Sequence, residues 1–118
     1  DKSCPVFEAS SRGNLELVKL LLSRRADVTG YTGGVTLQAV VKRGHASIVE
    51  ALLDGGADIH YENDLALRHC CRENLVPMAQ LLLERGADVH TFNDACLSMA
   101  IERGYTDLAR LLLKFGAD

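Results

Sequence analysis

Two histidines are the first residues whose type and spacing suggest metal chemistry. His60 and His90 are 30 residues apart and open similar segments, HYEND and HTFND. If these segments stack at the usual separation of packed helices, roughly 8–10 Å, the pair is too far apart to share one zinc ion, whose bonds to imidazole are about 2.0–2.1 Å long. Repeated segments also align like residues without any function, so we predict no metal and no cofactor.

Four cysteines could form disulfides or a reactive thiol site. Cys70 and Cys71 are adjacent, and no pair has the CxxC spacing of redox or zinc sites. We therefore expect free thiols in a reducing compartment, either the cytoplasm or the nucleus. Cys70 and Cys71 suit small core positions, whereas Cys96 is either a core residue or a surface thiol.

A histidine next to a cysteine raises the possibility of nucleophilic catalysis. His69 and Cys70 are consecutive, however, and consecutive side chains of a helix do not face each other. We interpret His69 as a partly buried packing residue. The glycine-rich stretch at 30–34 lacks the glycine order of a phosphate-binding loop. The sequence predicts no catalytic residues, and we expect that the chain is not an enzyme.

Composition favours one aliphatic, helix-rich domain. The 118 residues are 47% hydrophobic but only 5% aromatic, with no Trp. A net charge of -3 does not favour binding to nucleic acid or to an anionic membrane. The longest apolar runs, such as VKLLL at 18–22, are far shorter than the roughly 20 residues of a membrane-spanning helix, and the start does not resemble a signal peptide.

The sequence contains four copies of one repeated pattern. The triplet at 25–27, RAD, returns as GAD at 56–58, 86–88 and 116–118, and a second marker in the same register falls at Gly13, Gly44, Asn74 and Gly104. The steps of both markers are 31, 30 and 30 residues. We therefore divide the single domain, 1–118, into units at approximately 4–33, 34–63, 64–93 and 94–118.

Each unit contains a helix after the Gly/Asn marker. Apolar residues recur at the fourth, fifth, eighth and ninth positions after it, the pattern of a helix buried along one side. Pro77 fits the first turn, where no helical partner for its missing N–H is needed. The stripe comprises Leu17, Val18, Leu21, Leu22; Ile48, Val49, Leu52, Leu53; Met78, Ala79, Leu82, Leu83; and Leu108, Ala109, Leu112, Leu113.

A shorter helix precedes each marker. Its core pairs are three residues apart, and the second member is small enough for close helix packing: Val6 and Ala9, Leu37 and Val40, Leu67 and Cys70, Leu97 and Ala100. Gly and Asn at the marker favour the left-handed turn that joins two antiparallel helices. The same turn is expected at Gly56, Gly86 and Gly116, whereas Arg25 predicts a different cap in the first unit.

These segments resemble ankyrin repeats. GNLELVKLLLSRRADV and RGHASIVEALLDGGADI are similar to the second half of such a repeat, and the resemblance covers essentially the whole chain. The chain departs from the family in its 30-residue period, where 33 is usual, and in lacking the TPLH segment. Shortened units with Asn-Asp before the first helix look like those abundant in giant-virus, fungal and amoebal proteins. The resemblance implies an all-α, ankyrin-type solenoid of four stacked antiparallel helix pairs with short finger loops.

The resemblance also implies a binding surface on the concave side, formed by the fingers and the first helices. We expect Asp64 and Asp94 to cap their helices, with Gly34 at the same place in the second unit, in a finger at 29–34. Three of six aromatic residues fall in the fingers, where they either anchor a partner or pack on their neighbours. The expected contact residues are Tyr31, Thr32, Lys42, Arg43, Tyr61, Glu62, Arg72, Thr91, Phe92 and Arg103.

Two functions remain open at this point. The chain is expected to be a protein–protein interaction module, and a ladder of basic residues on the first helices suits an acidic segment of a partner, unless that ladder is merely solvated. The alternative is a structural spacer within a longer array. Terminal repeats normally need polar outer faces, so we expect neighbouring ankyrin repeats on at least one side, with this chain a fragment of the full-length array.

Overall fold

The chain folds into eight α-helices, with no β-strand among the residues that the structure describes. The computed structural model describes residues 5–24, 28 and 30–117, except the side chains of 30–32. The helices are α1 (Pro5–Ser11), α2 (Leu15–Ser23), α3 (Gly30–Arg43), α4 (Ala46–Asp54), α5 (Tyr61–Arg72), α6 (Val76–Glu84), α7 (Thr91–Arg103) and α8 (Thr106–Lys114).

The helices form four antiparallel pairs in a single stack, which confirms the predicted architecture. In the structure we take each helix pair as one unit, counted from the start of its first helix, so unit three begins at Tyr61 and unit four at Thr91. The first helices of successive units pack in a row, α1 on α3, α3 on α5 and α5 on α7. The second helices pack where α2 meets α4 and where α6 meets α8. The stack is elongated, 42 × 22 × 21 Å, because each unit contacts chiefly its neighbours along one axis.

The markers form the predicted left-handed turns between the paired helices. Gly13, Gly44, Asn74 and Gly104 have φ angles of 74°, 75°, 58° and 72°. The following residue donates its N–H to a carbonyl five residues earlier, for example from Leu75 to Cys70 at 2.8 Å. This bond satisfies a carbonyl that the helix end leaves unpaired. The expected unusual cap at Arg25 lies outside the described residues.

The predicted core pairs of the first helices are all buried. Their side chains pack with the second-helix stripe into one aliphatic core along the stack. The stripe prediction is wrong at Leu17 and Leu113, which are 40% and 54% exposed. These two leucines lie on the outer sides of the first and last units that the structure describes.

The predicted finger at 29–34 is also wrong in the described part of the chain, because α3 begins at Gly30 and neither Gly33 nor Gly34 has the left-handed φ that Asn63 and Asp64 adopt at the equivalent positions. Gly34 is therefore inside a helix rather than at its cap. A side chain at Gly33 would overlap the Val28 carbonyl, and one at Gly34 would overlap the ring of Tyr61. These glycines allow close packing against Val28 and the next unit.

Candidate binding surface

The fingers of the third and fourth units are left-handed turns at the starts of α5 and α7. Residues 62–64 and 92–94 have φ angles between 53° and 60°. None of these residues is glycine, and a left-handed conformation costs roughly 1–2 kcal/mol for each such residue. Interactions from outside the turn must therefore hold it in place.

Arg68 and Thr91 stabilise the turn at residues 62–64. The Arg68 guanidinium donates to the carbonyls of Asn63, at 2.9 Å, and Glu62, at 2.6 Å. The Thr91 hydroxyl of the next unit donates to the Asn63 carbonyl as well, at 3.0 Å. The turn thus depends on its own first helix and on the neighbouring finger.

Asp64 links the same turn to the loop that follows α6. Its carboxylate is buried, 3% exposed, and accepts from His60 Nδ1 at 2.9 Å and from the Asp88 backbone N–H at 2.8 Å. The prediction that Asp64 caps its helix is wrong, because in the left-handed conformation its described bonds run to His60 and Asp88. Asp94 likewise accepts from His90 Nδ1, at 2.7 Å.

The paired carboxylate changes the acid–base behaviour of His60. The hydrogen bond with Asp64 raises the pKa of His60, and the charges of Asp58 and Asp88 act in the same direction, whereas partial burial opposes them. Each histidine uses Nδ1 within its own finger. Among the described residues, no group of three or more His, Cys, Asp or Glu side chains could hold a metal ion.

A depression of about 650 Å³ lies between the first helices of units one to three. We call it the first depression. Its lining is mainly apolar, and Lys42, Arg43 and Glu62 lie among the lining residues as the charged groups. The apolar part is formed by Phe7, Val35, Ala39, Tyr61 and Leu65, together with the polar Gln38.

A second depression, of about 690 Å³, lies on the first helix of the fourth unit. Phe92, Ala95 and Met99 provide its apolar part, and Glu102 and Arg103 its charges. Phe92 is 57% exposed, and the Arg68 guanidinium lies 4.7 Å from its ring centroid, a cation–π contact. The depression therefore offers an aromatic side chain that is held in place and still accessible.

The predicted aromatic and hydroxyl contacts differ in accessibility. Phe92 is exposed, Tyr61 is half-buried against Gly34, and Thr91 is buried with its hydroxyl bonded to Asn63. Thr91 is therefore unavailable to a partner, which corrects the sequence prediction. Tyr31 and Thr32 belong to the first turn of α3, and their side chains lie outside the described part.

The predicted charged contacts are all exposed on the first-helix side: Lys42, Arg43, Glu62, Arg72 and Arg103. Arg43 and Arg103 each donate to a backbone carbonyl of the preceding unit, those of Ser11 and Arg72, at 3.1 Å. Their side chains are thereby held along the stack. Lys42 has no ion-pair or hydrogen-bond partner within the described residues, so its charge faces solvent beside the first depression.

The sequence analysis missed the apolar lining and the role of Arg68. Val35, Leu65 and Ala95 occupy the same position in successive units, two residues before the first predicted core residue of each first helix. Recurrence at the 30-residue period was a usable signal for these residues. No local pattern identifies Arg68, because its targets are carbonyls of a turn whose conformation depends on the next unit.

The remaining candidate side chains are part of the core or its edge. Cys70, Cys71 and Cys96 are buried, so the surface-thiol alternative for Cys96 is wrong. Burial raises the pKa of Cys70 to about 12, and a hydrogen bond with Cys96, with burial, raises that of Cys71. His69 is half-buried, as predicted; burial and the nearby charge of Arg72 lower its pKa.

Comparison with known families agrees with this architecture. A family model described as ankyrin repeats, in three copies, matches residues 6–93. The chain belongs to the ankyrin repeat family. Ankyrin repeats are generally protein–protein interaction modules, built on a non-catalytic interaction fold. The comparison with curated proteins finds no match for this ankyrin chain. Across the described residues, no helix has both the length and the apolar character needed to cross a membrane.

Proposed function

We propose that this ankyrin chain binds a segment of another protein on its concave side, and that the segment carries apolar side chains next to acidic ones. The observation that carries this proposal is the first depression, a mainly apolar hollow with Lys42 and Arg43 among its lining residues. An apolar anchor gains free energy by leaving water there. Acidic neighbours of that anchor would meet the two cations.

Geometry supports a peptide-like partner rather than a small molecule. The two depressions are open and lie on the same row of first helices, one across units one to three and the other on unit four. Ordinary ligand pockets bury most of the ligand surface, which an open hollow does not. A chain segment can fill successive hollows along the stack with alternating side chains.

Selection from a displayed library of random peptides tests the proposal without a known partner. We expect selected peptides to combine Leu, Phe or Ile with Asp or Glu. The double variant Lys42→Glu, Arg43→Glu should weaken their binding at least tenfold, because two attractive charges become repulsive. Fluorescence polarisation of the labelled peptides at fixed salt concentration measures the change.

A second variant tests the hollow itself. Ala39→Met should also weaken binding at least tenfold, because it fills the first depression. The fold accepts this side chain, since Met99 occupies the same position in the fourth unit. The matched control is Lys19→Glu, Arg110→Glu, two exposed cations on second helices. The proposal is contradicted if the two concave-side variants bind the peptides as tightly as the control variant does. It is also contradicted if the selected peptides are not enriched in Asp or Glu, and either result favours the spacer hypothesis.

A further inference from the structure

The charges around the first depression are separated by sign. Lys42 and Arg43 are the last two residues of α3, whereas Glu62 lies in the left-handed turn at the start of α5. First helices of successive units run in the same direction, because each unit repeats the one before it. The cations therefore border one end of the hollow, next to the marker turns, and the acid borders the other end, next to the fingers.

The repeat register gives the distance between these charges. Val35 and Leu65 occupy the same position in units two and three. Lys42 follows Val35 by seven residues, roughly 10 Å at the rise of an α-helix, and Glu62 precedes Leu65 on the other side. Neighbouring first helices are offset by the usual separation of packed helices, roughly 8–10 Å. The two charges thus lie diagonally across the hollow, about 13 Å or more apart along the backbone.

The charges at the two ends of the hollow are available to a partner. Lys42 and Glu62 are both exposed, and neither side chain forms an ion pair or a hydrogen bond with any residue that the structure describes. Arg68 contacts Glu62 through the backbone carbonyl and leaves the carboxylate unpaired. Both charges therefore face solvent beside an apolar surface.

Neighbouring charges on these first helices are already engaged. Glu8 pairs with Arg12 at 3.2 Å, and Arg72 pairs with Glu73 at 3.7 Å. Arg68 donates to two carbonyls of the finger turn and faces the aromatic ring of the next unit. It is not among the residues that line the first depression. These neighbours leave the separation of charge across the hollow in place.

We infer that the segment bound in the first depression carries a basic residue as well as an acidic one, on opposite sides of its apolar anchor. This inference rests on the proposed function and adds the basic group, which meets Glu62 while the acidic group meets Lys42 and Arg43. In an extended segment, residues i, i+2 and i+4 face the same side, and the outer two are roughly 13 Å apart. A segment with an acid, an apolar residue and a base at these three positions therefore matches the hollow, in either order along its chain.

The peptides selected on the chain give the first test. Those that depend on Lys42 and Arg43 should be enriched in Lys or Arg about four residues from the Asp or Glu. Two synthetic peptides then differ at this one position, with Lys in the first and Glu in the second. Wild type should bind the Lys peptide about threefold more tightly, as expected for an exposed ion pair. Fluorescence polarisation at low ionic strength, where exposed charges are least screened, measures both affinities.

Substitution of Glu62 should change this preference. Glu62→Gln should remove it, and Glu62→Lys should reverse it, because the finger end of the hollow then attracts the Glu peptide. Glu62 is exposed, so both variants should keep the circular dichroism spectrum of wild type. The matched control is Glu84→Lys, which makes the same change of net charge at an exposed position of α6 and should retain the wild-type preference.

One result overturns this inference and leaves the proposed function intact. In that result the peptides contain apolar and acidic residues and depend on Lys42 and Arg43, but wild type and Glu62→Lys show the same preference between the two synthetic peptides. A preference that Glu84→Lys reverses as well also overturns it, since net charge alone then accounts for the effect. Binding that does not depend on Lys42 and Arg43 overturns the proposed function and this inference together.

Discussion

At the scale of single residues, Asp64 has the clearest structural role outside the apolar core. Its buried carboxylate accepts from His60 and from the backbone of Asp88, and so joins two loops that are 24 residues apart in the chain. The sequence suggested a helix cap, because Asp before a helix commonly has that role. The actual role depends on a left-handed backbone and on a loop from the following repeat, neither of which has a local sequence signal.

The His60–Asp64 pair predicts a pH dependence of stability. Because the pKa of His60 is raised above 6.5 in the folded chain, its pairing stabilises the fold fully below that value and is lost as the pH rises through the folded pKa. His60→Gln should therefore cost most stability near pH 5.5 and least near pH 8. Urea denaturation of both proteins at several pH values measures the difference.

His69→Gln is the matched control for that titration. The pKa of His69 is lowered by burial and by Arg72, so its protonation at low pH opposes folding. Removal of this side chain should be relatively more favourable as the pH falls, the reverse of the trend for His60. If the loss of unfolding free energy in His60→Gln is the same at every pH, protonation of His60 does not strengthen its hydrogen bond with Asp64.

At the scale of helices, the second helix of each unit was the easier one to predict. The observed α2, α4, α6 and α8 each contain the whole apolar stripe that was predicted for them. The signals for these helices, a stripe and a glycine turn, lie within about 15 residues of chain. The left-handed turns at residues 62–64 and 92–94 were not predicted, because they are stabilised by Arg68 or by a carboxylate–histidine pair.

Burial at one repeat position gives a test at this scale. Leu83→Ala should lower the free energy of unfolding by about 2–5 kcal/mol, because it leaves a cavity between units three and four. Leu113→Ala, at the same position of the last unit, should stay within about 0.5 kcal/mol of wild type because the side chain is exposed. Urea denaturation at dilute protein concentration measures both, and similar losses would mean that the last unit is covered in solution.

At the scale of the whole molecule, the number and order of the units followed directly from the period. The concave hollows did not, because each depends on side-chain sizes in two or three neighbouring units. The first depression exists where Ala39 lies among the larger Phe7 and Leu65. Such combinations depend on how the units stack. The repeat pattern along the chain therefore does not show which side chains of neighbouring units form a hollow.

The stack should open from its ends. Units one and four each pack against a single neighbour, and their outer leucines are exposed, whereas units two and three are covered on both sides. Hydrogen–deuterium exchange followed by mass spectrometry should therefore show faster exchange in α2 and α8 than in α5 and α6. Uniform protection along the chain would indicate that the four units unfold only together.

Arg68 has a further consequence for any ligand of the concave side. It donates to the turn of its own unit and stacks on Phe92 of the next, so the aromatic ring is already ordered before a partner arrives. Ordering a side chain on binding costs roughly 0.5–1.5 kcal/mol. Because the Phe92 ring is already ordered in the folded chain, a partner that contacts it avoids part of this entropic cost. Loss of the guanidinium should therefore weaken binding through increased entropy of the free protein, with few changes in the bound contacts.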